Sequence, residues 1–396
     1  MSIFSTADIL LPQGVSMEKW AVIACDQFAS QPEYWLQAGN LVGDAPSTLN
    51  LIWPESQLDD DPEIRISAIN AAMRRYLAEG LFQTFPNAFI YVERTLLSGQ
   101  IRRGVVGAVD LAEYDYTPGT QAQVRATEKT VIERIPPRVN IRKDAPIELP
   151  HVLLLCDDPA QLILGSIQKD SLPVIYDFDL MQGGGHITGW LLQGQDAKAL
   201  EAAIAAYEQQ SGPVKYAVGD GNHSLAAAKA CYELHKTTAS RYALVELENI
   251  HDASQVFEPI HRIIKNTDPD ALLAALPQCE NGHTVRWFSG KKQGTVRLKL
   301  ADGQLPVGAL QNFLDDYLKN HPGETDYIHG DDSLKQLSAD ENAIGFLLPP
   351  MEKSSLFPGI IADGVLPRKT FSMGHAQEKR YYLEARIIQT QKGEPA

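Results

Sequence analysis

The run Gly219-Asp220-Gly221-Asn222-His223-Ser224 concentrates more chemistry than any other stretch of the chain. It lies between a short apolar stretch, Tyr216-Ala217-Val218, and an alanine-rich stretch from Leu225 to Leu234 that reads as helix. A strand, a glycine-flanked turn and a helix in that order offer backbone N–H groups to an anion. The first four N–H groups of a helix lack internal partners, and the helix dipole adds roughly half a positive charge there. Asp220 can hold a cation such as Mg²⁺ or orient a hydroxyl, and His223 can donate to a phosphate oxygen. Gly221, Asn222 and Ser224 complete the candidate cradle, although a tight turn capped by Ser224 accounts for the same letters without a ligand.

A bound phosphate also needs its charge neutralised, and chemistry at a hydroxyl needs a base. Arg125 and Arg138 are candidate phosphate clamps, and Glu128 is the candidate base. Glu128 lies three residues after Arg125, so a helix would put both on one face. Gly183-Gly184-Gly185-His186 follows a strand-like stretch, Val174 to Phe178. Three glycines in a row carry a large ordering cost, so Gly184, Gly185 and His186 are expected to line a site, with Asp177 or Asp179 turned inward. His261, Arg262, Lys353, Arg368 and Lys369 add cationic donors. His329-Gly330-Asp331-Asp332 reads either as a cation site or as a helix start.

These groups need a scaffold, and the pattern alternates strand-like and helix-like segments. Asp61-Pro62 is an N-cap followed by proline at the first helical position, with Ile66, Ile69, Met73, Tyr76 and Leu77 on one face. Phe89 to Val92 and Ile101 to Val109 read as a hairpin, His151 to Cys156 as a buried strand, and Asp157-Asp158-Pro159 as a helix start. Asp196 should cap an alanine-rich helix. His283 to Leu300 reads as a basic hairpin turning near Gly290. The expected class is mixed α/β: a mixed sheet flanked by helices, as one unit over residues 1–390 with a frayed tail at 391–396.

Composition narrows the function. The chain has 396 residues, 35 Lys plus Arg against 50 Asp plus Glu, and a net charge of -15. That balance argues against nucleic acid as a partner. No apolar stretch approaches the ~20 residues of a spanning helix, so no membrane partner is expected. The N-terminus lacks the pattern of a secretory leader, and four scattered cysteines show no metal or redox spacing, which points to the cytoplasm. Walker, dinucleotide and Gly-x-Ser-x-Gly motifs are absent.

The sequence resembles the DUF1015 family of uncharacterised bacterial and archaeal proteins along nearly its whole length. The resemblance rests on Asp220-Gly221-Asn222-His223-Ser224, against a family turn of Asp-Gly-His-His-Arg. It also rests on Arg125 to Thr130, on Pro259-Ile260-His261-Arg262, and on the blocks Leu348 to Lys353 and Gly364 to Thr370. Asn222 and Ser224 depart from the commoner turn. That turn is similar to one in free-serine kinases of the ParB/sulfiredoxin-like fold, which implies such a substructure here. The resemblance implies a nucleotide-dependent phosphotransferase, using ATP or ADP with Mg²⁺ on a small hydroxylated metabolite such as serine. A nucleotide-binding regulatory module and a phosphatase of a phosphorylated metabolite are the alternatives.

Overall fold

Asp61 caps the Pro62–Ala78 helix as expected, its carboxylate accepting from the N–H groups of Glu63 and Ile64. The computed structural model describes residues 2–58 and 61–389, and the tail at 391–396 lies outside them. Among the described residues eleven strands form one mixed sheet. Its path runs Val174–Asp179, His186–Leu192, Phe82–Thr95, Ile101–Asp110, Tyr242–Asn249, Leu153–Cys156, Tyr216–Asp220, Val124–Ala126 and Tyr114–Asp115. The hairpin end is antiparallel, whereas Tyr242–Asn249 pairs parallel to Leu153–Cys156, and Tyr216–Asp220 parallel to Val124–Ala126. The Gly194–Gln210 helix buries Leu200, Ile204 and Tyr207 against this sheet.

A second sheet has six strands among the described residues. Its order is Lys292–Leu298, Gln278–Ser289, Ile344–Leu347, Phe257–Lys265 and Glu324–His329, with Phe371–Met373 paired to the start of Phe257–Lys265. The Pro306–Tyr317 helix covers it through Leu310 and Leu314. A mixed sheet flanked by helices is therefore the architecture of the larger lobe, and a smaller sheet adjoins it, its core continuous with Leu155 and Ala217 of the larger sheet.

Three local expectations give way to tertiary pairing. Arg125 to Thr130 is not helical: Val124–Ala126 is a strand, and Thr127 Oγ1 donates to the Val218 carbonyl at 2.7 Å. Pairing with the Tyr216–Asp220 strand outweighs the weak local helix preference. Asp157-Asp158-Pro159 starts no helix; the next helical element is a single turn at Leu164–Ser166. Asp196 sits in the first turn of the Gly194–Gln210 helix, whose N-cap is Gln193.

Candidate active site

The Tyr216–Asp220 strand is buried through Val218, and the chain then turns at Gly221 with φ 80°. A Cβ at Gly221 would meet Val152 Cα at 3.0 Å, so both conformation and space call for glycine. The Asn222–His235 helix begins at once, with no side chain hydrogen-bonded at its N-cap. Leu225 N–H is bonded to the Gly221 carbonyl at 3.0 Å, which leaves the N–H groups before it ahead of the helical ladder. This N-terminus opens on a cavity of about 810 Å³ between the two lobes. Asn222 Oδ1 is buried at the wall with no hydrogen-bond partner among the described residues.

The opposite wall comes from the loop 366–379 and from the second sheet, through Glu258, Ile260 and His329. In a chain of net charge -15, five Lys and Arg side chains line this one cavity (Lys129, Arg138, Arg368, Lys369 and Lys379), facing five carboxylates, Asp26, Glu55, Glu128, Asp220 and Glu258. Among the described residues Lys129, Arg368 and Lys369 make no ion pair, whereas Lys379 Nζ lies 3.3 Å from Asp220 Oδ2 and Arg138 lies 2.5 Å from Glu55 Oε1. Lys369 has φ 59°, in the left-handed region that an ordinary side chain avoids. Arg262 holds it there. Its fully buried guanidinium donates to the carbonyls of Ile260 (2.8 Å), Lys369 (2.9 Å) and Arg368 (3.1 Å) and to Gln311 Oε1 (2.6 Å).

Glu128 reaches the cavity from a segment stitched to the same loop, since Lys129 N–H donates to the Leu366 carbonyl and Leu366 N–H to that of Thr127. Glu128 Oε1 accepts from Thr370 N–H at 3.1 Å. Burial raises its pKa above the ordinary glutamate value, against the pull of the Lys369 and Thr370 N–H groups and the Lys369 and Arg262 charges. His223 Nε2 accepts from Val131 N–H at 3.2 Å, which puts the proton of a neutral ring on Nδ1. Asp220 Oδ1 accepts from Gly221 N–H at 2.9 Å.

Three wall residues went unnoticed in the sequence. Burial alone would raise the Asp26 carboxyl, but His151, Gln27, Arg138 and Lys379 outweigh it and hold it below its usual range. His151 is itself buried, which depresses its pKa despite Asp26 and Asp220. Its Nε2 lies 3.4 Å from Ser224 Oγ and its Nδ1 2.7 Å from the Tyr382 hydroxyl. Lys379 rides on a C-terminal strap clamped from beneath. Arg94 donates to the carbonyls of Gln377 (2.6 Å), Glu378 (3.1 Å) and Lys379 (2.6 Å), and Arg102 to that of Glu378 (2.6 Å). Only the histidine, lysine and arginine content of 374–380, beside Gly374, could have signalled that strap.

Several expected site residues stand elsewhere. Arg125 is buried, donates to the Ala122 carbonyl at 2.8 Å, and does not share a helix face with Glu128. Gly184 and Gly185 are packing glycines: a Cβ on the first would run into Tyr381 and on the second into the Thr95 carbonyl. The Gly184 carbonyl accepts from Arg94, and His186 sits on the surface between Asp177 and Asp179, each at 2.7 Å. Phe178 is the residue turned inward there, and both aspartates face solvent. His261 is buried between Asp331 (3.2 Å) and Leu348 N–H (3.2 Å), so with Arg262 it supports the wall from behind. Lys353 donates to the Asp252 carbonyl at 2.7 Å, away from the cavity. Glu128, Asp220, Gly221, Asn222, His223, Ser224, Arg138, Arg368 and Lys369 do converge.

The family model described as "Protein of unknown function (DUF1015)" matches residues 10–386. The chain belongs to the DUF1015 family. No curated protein matches it. Among solved structures it is similar to a conserved hypothetical protein from Pyrococcus furiosus, at 12% identity and TM-score 0.35, covering 70% of this chain and 90% of that one. SbnI with a C-terminal truncation, from Staphylococcus aureus, aligns at 10% identity and TM-score 0.37 over 68% of this chain and 83% of its own. A free serine kinase in complex with AMP aligns at 12% identity and TM-score 0.36, over 70% and 92%. Among the described residues of this DUF1015 member no helix is long and apolar enough to cross a membrane.

Proposed function

We propose that the protein is a nucleotide-dependent phosphotransferase acting on a small hydroxylated metabolite. The observation that carries this reading is the convergence, in one cavity of about 810 Å³, of an uncapped helix N-terminus with five Lys and Arg side chains. The N–H groups before Leu225 bind nucleotide phosphate, and Lys369, Arg368 and Lys379 neutralise its charge. Glu128 accepts the proton of the acceptor hydroxyl as that oxygen bonds the terminal phosphorus of ATP or ADP. The bond from that phosphorus to the bridging oxygen breaks, and the nucleotide leaves one phosphate shorter. His223 and Asn222 orient the transferring group.

Among the described residues no group of three His, Cys, Asp or Glu side chains forms a metal cage. Mg²⁺ in phosphoryl-transfer sites is instead commonly held by one or two carboxylates together with substrate phosphates. Asp220 and Asp26 on the cavity wall fit that mode, and the ion would supply charge neutralisation at the phosphates. Lys379 Nζ, 3.3 Å from Asp220 Oδ2, adds a positive charge on the same wall.

The test is direct. Purified protein with Mg²⁺ and either ATP or ADP is offered serine and related hydroxylated metabolites, and phosphorylated product is followed by mass spectrometry. Product that falls by about 10²–10⁴ in Glu128→Gln, with nucleotide binding retained, supports the assignment. Full turnover in that variant removes Glu128 as base. Phosphate released from phosphoserine without nucleotide would mark a phosphatase instead.

A further inference from the structure

Behind the polar cavity lies a second chamber of about 400 Å³, lined by Leu225, Ala228, Met73, Ile141, Ile147 and Leu244 among other apolar groups. It is walled by the Pro62–Ala78, Ile135–Arg142 and Asn222–His235 helices and the face of the large sheet. The two chambers share four wall residues: Glu55, Arg138, His151 and Ser224. The Asn222–His235 helix serves both, since Asn222 to Ser224 face the polar chamber and Leu225, Ala227 and Ala228 the apolar one.

Three of the charged groups on the apolar chamber, Glu148, Arg142 and Arg138, are already engaged. Glu148 takes Arg142 (2.5 Å) and Arg386 (2.6 Å) on its two oxygens and also Leu244 N–H (2.9 Å). Arg138 is paired with Glu55. A purine or a hydroxylated chain placed here would bury donors and acceptors that find no partner, which costs more than its apolar contacts return. An aliphatic chain needs no partner and gains from every methylene removed from water.

We propose that the two chambers take one ligand, its phosphate-bearing end in the polar cavity and an aliphatic chain in the apolar chamber. The acceptor of the reaction is then an amphiphile whose chain passes the Ser224–His151 wall and whose hydroxyl reaches Glu128 in the polar cavity. This inference rests on the phosphate-binding reading of the polar cavity and adds the class of substrate.

Binding of inorganic phosphate and of straight-chain alkyl phosphates from ethyl to octyl, below their aggregation limits, is measured by calorimetry on the full chain. The expected result is tighter binding by about fourfold per added methylene until the chamber is full, the ordinary gain of about 0.8 kcal/mol per buried CH₂. Ala228→Phe, or Met73→Trp from the facing helix should the first not fold, fills the chamber. Either should flatten that series while leaving inorganic phosphate binding unchanged. Chain-length-independent affinity with phosphate still bound overturns the amphiphile proposal and leaves the polar site standing. The same slope in a folded, chamber-filled variant overturns it too. If neither phosphate nor any alkyl phosphate binds, the polar cavity reading falls with it.

Discussion

Lys369 separates a binding role from a structural one. Its left-handed backbone costs about 1 kcal/mol that glycine would not incur, and its carbonyl is held there by buried Arg262. Lys369→Gly is therefore expected to keep or raise stability in urea unfolding while weakening phosphate binding about tenfold. A loss of stability with unchanged binding would show that the lysine only shapes the loop. Glu128 yields a pH prediction. Its carboxyl is raised by burial, so the basic form needed for proton transfer is lost as pH falls through a value above the ~4.3 of free glutamate. The acidic limb of the rate profile should lie above that value and disappear in whatever rate Glu128→Gln retains. A limb at the ordinary carboxylate position assigns the proton to another group. A limb below the ordinary carboxylate range would instead indicate Asp26, which His151, Gln27, Arg138 and Lys379 hold low.

At the scale of elements, the C-terminal strap is what no local pattern discloses. Arg94 and the strap carbonyls it caps are separated by more than 280 positions, Gln377 by 283 and Lys379 by 285. Nothing within a helix or strand period links them. The turn at Gly219 to Ser224 is legible as strand, glycine turn and helix because the three are neighbours in sequence. The Arg125–Glu128 pair was misread for the opposite reason: its conformation is decided by a strand ninety residues away. Gly183 to Gly185 was also misread, because three glycines signal close approach, but the letters do not say whether a ligand or Tyr381 does the approaching. The strap makes its own prediction. Arg94→Met keeps roughly the volume but strands the buried carbonyl of Gly184 and the partly buried ones of Gln377, Glu378 and Lys379, so urea unfolding should show a loss of about 3 kcal/mol. Phosphate affinity should fall as well, because Lys379 loses its anchorage. Unchanged affinity in the folded variant would detach the strap from the site.

The whole molecule is two sheets meeting at one cavity, and the charge distribution makes that meeting place unusual. The chain is acidic overall and the cavity carries both signs of charge, so an anion must be held by contact at both walls rather than by long-range attraction. One wall is the helix N-terminus of the larger lobe, and the other includes Glu258, Ile260 and His329 of the second sheet. A nucleotide touching both walls stabilises the lobes together, by about 2.7 kcal/mol at a hundred times its dissociation constant. Trp190 packs on the core of the larger sheet and Trp287 on that of the smaller, so each reports one lobe. With 5-fluorotryptophan at all five tryptophans, ¹⁹F spectra in rising urea follow both signals once Trp190→Phe and Trp287→Phe have assigned them. Saturating ADP should move both midpoints upward together. A shift confined to Trp190 would mean that the ligand rests on the Asn222–His235 helix alone, and that the second sheet takes no part in holding it.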